Sequence, residues 1–417
     1  MIKFVGITNP HEIGAYSVER NAVVLQRYRY LHEGLLRVAS GQLPNREDWN
    51  LRLGMCMHLY EDAEAADQLH KRIPELRTSA AILTKEPDSR LTLLMDELVH
   101  AKTDLEWTGA VYEVVKPAML EAFREHVATT QQIVDQPTIR ILRQAILDLE
   151  IQINWGAELL ADLRGDVQHP VEDVEFKERI QTFLTAAGGV SGNGPRSTDI
   201  PRRWRSNVPY AIPTRSKRDP RRMGPTTLVR TGVEVPPADP VLQELVMKMR
   251  VRQEEMTACD LIAGVLYSQS NMPWAFYRDL ARHIWDEARH AMFGQAGLEA
   301  DGYEWMNRPQ YTSDYDINSE KIPAAKYAWL SIGIEEGAMV SLGKKKEFEW
   351  CRDEAKHPLM TQFQDYDWAD EVVHANLGRK WAPDLMGEQI GFVREVAQKE
   401  LDHFWSEVHK AEQSKSQ

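Results

Sequence analysis

Ile284–Phe293, IWDEARHAMF, is the stretch from which the rest of this chain is read. Glu287 and His290 lie three residues apart with no helix breaker between them. On an α-helix that spacing puts both side chains on one face, roughly 4.5 Å apart along the axis. A carboxylate and an imidazole converging in this way are suited to a divalent cation. Glu-x-x-His by itself carries little weight, because it occurs at five places, Glu97, Glu287, Glu354, Glu371 and Glu400. Random placement gives about one. What matters is whether neighbouring helices bring matching residues.

They do. Asp239 as N-cap and Pro240 at the first helical position open a helix expected to reach about Gln269, with Glu254-Glu255 on it. Asn271-Met272-Pro273 opens the helix of IWDEARHAMF, which runs to Ala300. The connection Asp301–Ile322 follows, and Pro323 then opens a third helix bearing Glu335-Glu336. Pro358 opens a fourth, expected to end near Gly378, with Glu371 and His374 in WADEVVHANLG. Pro383 opens a fifth, running into the polar tail AEQSKSQ. Glu, Glu-x-x-His, Glu, Glu-x-x-His over four consecutive helices is the ligand set of dinuclear carboxylate bundles, and the long second connection is the crossover such a bundle needs.

Glu255 is 17 residues before Met272 and Glu287 is 15 after it, so an antiparallel hairpin brings the two level. The second hairpin is less even and requires its turn to begin around Cys351–Lys356. Carboxylates facing a bundle interior cost several kcal/mol each unless paired. Two divalent cations would neutralise four of them. The candidate ligands are Glu255, Glu287, His290, Glu335, Glu371 and His374. Glu255 is preferred to Glu254 because it shares a face with Val251, Ala258, Cys259 and Ile262. Glu335 and Glu336 both have apolar neighbours and stay open, with Glu335 carried forward.

The segments EMTACDLIAGVLY, FYRDLARHIWDEARHA and DEVVHANLGRKW resemble the ferritin-like superfamily, close to an uncharacterised bacterial branch, over about Pro240–Trp381. The resemblance implies a ferritin-like four-helix bundle with an extra C-terminal helix. It also implies two iron ions, manganese being the alternative, with bridging and terminal ligands drawn from the six candidates. The function it suggests is an O2-dependent oxidase or oxygenase acting on a small substrate. Two alternatives stand beside it, a non-enzymatic metal-binding or structural bundle and an RNA-modifying hydroxylase. Fold does not settle the reaction. Tyr303, Trp305, Tyr311 and Tyr315 in the crossover are the expected wall of a substrate pocket, whereas Trp285, Trp329 and Trp368 are expected to pack the core.

Residues 1–186 also read as helical. Val18–Val38 is one helix, Asn45 caps a second that runs to Leu76, and Ser89 caps a third that Pro117 should kink or end. A fourth starts near Pro137 and continues to Gly165. Four helices with short connections suggest a second bundle, either independent or a degenerate repeat of the first. Its Glu97 with His100 and Asp67 with His70 are read as solvated or internally satisfied, because the fourth helix, DLEIQIN, lacks a matching motif.

Residues 187–238 are rich in Gly and Pro and read as a linker or arm, leaving 239–417 as the metal domain. Between Val190 and Arg230 ten Lys or Arg face two Asp, so the overall charge of −13 leaves −21 on the rest of the 417 residues. The basic arm, with Trp204 and Tyr210 interleaved, could touch nucleic-acid phosphates. Docking onto acidic helices of the same molecule is the favoured expectation, and nucleic acid is not an expected partner. With 43% apolar and 27% charged residues and no long uncharged apolar run, the class is soluble, globular and all-α, with no membrane span. No secretory leader is recognisable and the three cysteines make no disulfide framework, so a cytoplasmic location is expected. Oligomeric state is open, a homodimer included.

Overall fold

The computed structural model describes residues 4–165, 171–230 and 239–415. Among them the chain is all-α apart from one pair of two-residue strands. Two compact units emerge. One comprises Met1–Gln42 and His58–Ala211, the other Leu43–Met57 and Ile212–Gln417. The arm is therefore divided, 187–211 packing in the first unit and 212–230 in the second, and residues 43–57 belong to the second unit. Pro236 and Pro237 of the arm, and the last two residues of the tail, lie outside the described residues.

The first unit contains α1 (Val18–Gln42), most of α2 (Trp49–Glu75), α3 (Ser89–Leu98), α4 (Asp104–Thr108), α5 (Lys116–Thr129), α6 (Gln136–Gly165) and α7 (Val171–Ala186). A π-helical stretch, Gly109–Val115, joins α4 to α5 without a break, so Pro117 neither ends nor interrupts the helix. It sits at the first turn after the π stretch, where its missing N–H is tolerated. The cap of α2 is Asp48 rather than Asn45, its Oδ1 accepting from Leu51 N at 2.9 Å. Asp88 likewise replaces Ser89 as the cap of α3. In both cases a carboxylate was the better acceptor for the orphan N–H groups.

The second unit is built from α8 (Pro240–Gln253), α9 (Met256–Ser268), α10 (Trp274–Ala300), α11 (Ser313–Asn318), α12 (Pro323–Ala328), α13 (Gly337–Val340), α14 (Gly343–Asp353), α15 (Pro358–Met386) and α16 (Ile390–Lys415). Asp239 caps α8, accepting from Val241 and Leu242 N at 3.0 Å. The expected helix to Gln269 breaks at Glu254-Glu255, which form a turn between α8 and α9. Trp329–Glu336 is π-helical and connects α12 to α13. α9 packs on α10 and α12, and α15 packs on α10, α12 and the π stretch, so four helical segments enclose one interior. Gly294 permits the closest approach. A Cβ there would lie 2.1 Å from Gln253 N.

The turn into α15 falls at Glu354–His357, in the expected region, but the helix before it is itself broken. α13 ends at Val340, and Leu342 adopts φ +58, leaving α14 as a separate helix packed on α15. α15 runs through Gly378 and Pro383 to Met386, and α16 starts only at Ile390. Pro383 lies in the last turn of α15, where it costs one backbone hydrogen bond, to the carbonyl of residue 379, close to the point at which the helix stops.

The arm's basic residues are used internally. In the first unit Arg203 reaches Asp96 at 2.7 Å, and Arg205 forks onto Glu106 at 2.6 and 2.7 Å. In the second, Arg218 meets the buried Asp260 at 3.0 Å, Arg222 meets Asp48 at 3.2 Å and Arg230 meets Glu254 at 3.3 Å. Thr226–Thr227 pairs in parallel with Gln310–Tyr311 of the crossover. Trp305, Tyr311 and Tyr315 are buried in packing, Trp305 against Trp49 and Tyr311 under the Arg230 guanidinium. No described helix is long and apolar enough to cross a membrane.

Candidate metal centre

Helices α10 and α15 carry the same five-residue pattern, Asp286-Glu287-x-x-His290 and Asp370-Glu371-x-x-His374. Each Glu and its His share a helix face and point inward, while the preceding Asp is rotated about 100° round the helix. One turn earlier on the inward face stand His283 and Asp367. The π stretch supplies Glu335, and the turn between α8 and α9 supplies Glu255.

These side chains form two groups, His283, Glu287, Glu335 and His374 in one, and Glu255, His290, Asp367 and Glu371 in the other. Within each, the potential ligand atoms lie within 4.8 Å of one another. In the first group His283 Nε2 is 2.9 Å from Glu335 Oε1, His374 Nδ1 is 3.3 Å from Glu287 Oε1, and the two rings stack at 3.9 Å. In the second, His290 Nδ1 is 3.3 Å from Glu255 Oε2 and 3.4 Å from Asp367 Oδ1. Glu287 lies in the first group and faces the second. Its Oε1 faces the first group and its Oε2 lies 3.9 Å from His290 Nδ1.

The outer nitrogens of the imidazoles are held crosswise. Asp286 of α10 lies 3.4 Å from His374 Nε2 on α15, and Asp370 of α15 lies 3.2 Å from His290 Nε2 on α10. Arg282 supports Asp286 at 2.7 Å and Arg289 bridges Asp286 to Asp370. A carboxylate on the outer nitrogen leaves Nδ1 of each ring directed at the carboxylates inside, the arrangement that metal-binding histidines ordinarily show.

Electrostatics and hydrogen bonding both fit a cation. Burial would lower the pKa of His290, but Asp367, Asp370 and Glu255 outweigh it and raise it to about 10. His374 is likewise raised well above the imidazole range against burial, chiefly by Asp286 and Glu287. Glu287 is held well below the carboxylate range despite burial by His283, His374 and His290. Glu335 Oε2 and Glu371 Oε2 have no hydrogen-bond partner among the described residues, and His374 Nδ1, Glu255 Oε2 and His290 Nδ1 have only the long acid–imidazole contacts given above. Buried polar atoms rarely go unpartnered. Their convergence in two groups of acid and imidazole side chains could hold metal ions.

No protein-family model, curated protein or solved structure matches the chain.

All six candidates read from the sequence fall in the two groups. Glu335 points inward, whereas Glu336 is taken by Arg379 at 2.8 Å and Arg394 at 2.8 Å. Glu254 similarly pairs with Arg250 at 3.1 Å. His283 and Asp367 were missed, although each stands four residues before the Glu of its motif and so on the same helix face. Lys344 was missed as well. From α14 it reaches both oxygens of Asp367 at 3.1 Å and Glu371 at 2.7 Å, while Arg252 reaches Asp367 at 2.8 Å. The second group is thus partly neutralised by the chain itself, and the first contains no Lys or Arg pair among the ion pairs of its four residues.

The other Glu-x-x-His pairs do different work. Glu97 accepts from the backbone N–H of Trp204 and Arg205 and from Ser206 Oγ, at 2.5, 3.0 and 2.6 Å. His100 spans the carbonyls of Asp96 and Val208. This pair fastens the arm. His357 caps α15, and Glu400 pairs with Lys321.

Proposed function

We propose that the second unit is a ferritin-like dinuclear metal centre and that the chain is an O2-dependent oxidase or oxygenase of a small substrate, with iron as its metal. The crosswise bracing of two Asp-Glu-x-x-His motifs carries this reading. It orients two imidazoles on opposite helices and gives them a shared carboxylate, Glu287, with one oxygen toward each group. His283, Glu287, Glu335 and His374 would hold one ion, and Glu255, His290, Asp367 and Glu371 the other. With two iron ions bound, such a centre supplies adjacent redox equivalents for the reduction of O2. The chain's own part is to hold Nε2 of each imidazole through Asp286 and Asp370 so that Nδ1 faces inward, where a bound cation would take the place of its proton, and to exclude water by burial of the cluster. Manganese meets the same donor set.

Anaerobic loading with ferrous iron followed by admission of O2 tests the proposal. Two irons per chain and consumption of O2 are expected. Fewer than one iron, or no O2 uptake with two bound, would sink it.

The ion pairs of Lys344 and Arg252 favour a second reading. They let the second group stand without a metal, which suits a structural or single-ion site. One tightly held ion per chain, redox-inert in air, would select that reading.

A further inference from the structure

The first unit has a buried polar core of its own. Lys116 Nζ lies 3.0 Å from Asp62 Oδ2 and 2.6 Å from Gln152 Oε1, His32 Nδ1 lies 2.8 Å from Asp62 Oδ1, and Gln152 Nε2 donates to Glu61 Oε2 at 2.6 Å. Four helical segments contribute, α1, α2, the start of α5 and α6. Lys116 and Asp62 are almost completely buried.

Sequence and geometry align this core with the second unit. His58-Leu-Tyr-Glu-Asp62-Ala on α2 matches His283-Ile-Trp-Asp-Glu287-Ala on α10 in position and type. Asp148 with Gln152 and Trp155-Gly156 on α6 matches Asp367 with Glu371 and His374-Ala375 on α15. Arg27-x-Arg29 followed by His32 matches Arg250-x-Arg252 followed by Glu255. The third helical segment of each unit contains a π-helical stretch, Gly109–Val115 and Trp329–Glu336. Contacts correspond as well. His58 packs edge-on against Trp155 at 4.9 Å and meets the Tyr112 hydroxyl at 2.6 Å, while His283 stacks on His374 at 3.9 Å and faces the Tyr327 hydroxyl at 3.4 Å.

We propose that the first unit is an internal copy of the second in which the Lys116 ammonium replaces the metal as the resident cation, so that the chain holds metal in one unit only. The substitutions agree in sense. The positions of His290, Glu371 and His374 are Ala65, Gln152 and Trp155, which removes two imidazoles and one negative charge. Asp62, at the position of the shared carboxylate Glu287, receives the lysine. Of the Glu97–His100 pair, which resembles a metal motif in sequence, Glu97 lies on α3 and His100 in the turn after it, and both serve the arm instead. That the lysine replaces a metal rests on the function proposed above, and the experiment separates the two.

Metal content is measured after loading with Co2+ for the wild type, Asp62→Asn and Glu287→Ala, and thermal unfolding is followed for Lys116→Met, Asp62→Asn and the double variant. Asp62→Asn should leave the Co2+ content unchanged and Glu287→Ala should abolish most of it. Lys116→Met alone should lower the melting temperature by roughly 5–10 °C, since it strands a buried carboxylate. Adding Asp62→Asn should restore at least half of that loss. A fall of Co2+ content in Asp62→Asn overturns the inference, as does a Lys116→Met protein that melts with the wild type. If Lys116→Met fails to fold, the double variant still decides, because its folding shows that the two charges answer each other and its failure as well shows that they do not. A wild type that binds no Co2+ defeats the proposed metal centre but leaves the Lys116–Asp62 coupling readable.

Discussion

The polar interiors of the two units solve one electrostatic problem in opposite ways. In the first, a lysine built into the chain sits between Asp62 and Gln152, and the carboxylate is answered within the fold. Burial would raise the pKa of Asp62, yet Lys116 and His32 hold it below the carboxylate range. In the second, Glu287, Glu335, His283 and His374 meet without a lysine or arginine, and Glu335 Oε2 has no hydrogen-bond partner among the described residues. A carboxylate cluster that the chain leaves unanswered is one that expects something from outside. The comparison teaches that helix-borne acid does not by itself mark a metal; under the function proposed here, acid without an ammonium or guanidinium of its own does.

Breaking the second unit's cluster should give the largest effect. Glu287→Ala removes the carboxylate of the first group that also faces His290, and the expected result is loss of most bound metal, read by elemental analysis of protein loaded with excess Fe2+ under argon. The same change in the first unit, Asp62→Ala, should leave metal content alone and cost stability instead, about 3–5 kcal/mol by denaturant titration, because Lys116 is left buried without its carboxylate.

The outer carboxylates come next. Asp286→Asn and Asp370→Asn keep shape and remove the charge on the outer nitrogen of His374 and His290 respectively. Each should weaken metal binding by roughly 10–100-fold in a competition titration with a chelator. Unchanged affinity in both would mean that the crosswise bracing serves packing alone.

Acid sensitivity should divide the units too. Burial and the nearby Lys116 push the His58 pKa down to about 3, whereas an unfolded histidine titrates near 6.5. Below 6.5 the unfolded chain therefore binds a proton that the folded chain refuses, and stability falls with pH until about 3. Between pH 6.5 and 5 the loss from this one group is about 2 kcal/mol. In His58→Phe that share of the acid slope should vanish when unfolding is compared at the two pH values.

How much of this was legible beforehand follows from the kind of signal each feature leaves. Helices α8, α10 and α15 begin at Asp239-Pro240, Pro273 and Pro358, where caps and prolines speak locally, and their starts are where the sequence put them. Ends were less legible. Pro383 was read as a start but lies within the last turn of α15, and nothing local marks Leu342 as left-handed. The π stretch at Trp329–Glu336 leaves no periodic trace that a 3.6-residue reading detects, which is why Glu335 and Glu336 could not be separated until Arg379 and Arg394 were seen to occupy Glu336. Four of the six candidate ligands came from spacing, because i, i+3 pairs declare a common face, and Glu255 and Glu335 came from the helices alternating with them and from their apolar neighbours. His283 and Asp367 declare it equally at i−4 and needed only one more turn of reading. Lys344 was not legible, since a helix set apart by a left-handed residue brings it to Asp367. A degenerate repeat in the first unit stayed open in the sequence, but its residues were not legible, because those retained are His58 and Asp62 rather than a Glu-x-x-His pair.

The smallest expected difference is also the most direct comparison between the units. Tyr112 and Tyr327 are both buried, and each hydroxyl faces Nδ1 of the histidine one turn before the key acid. At 2.6 Å the Tyr112–His58 contact is a full hydrogen bond, and at 3.4 Å the Tyr327–His283 contact is barely one. Tyr112→Phe leaves His58 Nδ1 buried without its partner and should cost about 1–3 kcal/mol by urea titration. Tyr327→Phe removes little, because His283 keeps its bond to Glu335 at 2.9 Å through the other nitrogen, and the cost should stay under about 1 kcal/mol. The order matters more than the size. If His283 turns its ring toward a metal, it exchanges Glu335 for the ion and depends on Tyr327 more, so the Tyr327→Phe cost should rise in metal-loaded protein while that of Tyr112→Phe stays fixed. Equal costs in both units, with and without metal, would show that the two histidines do the same job and that only one kind of core exists in this chain.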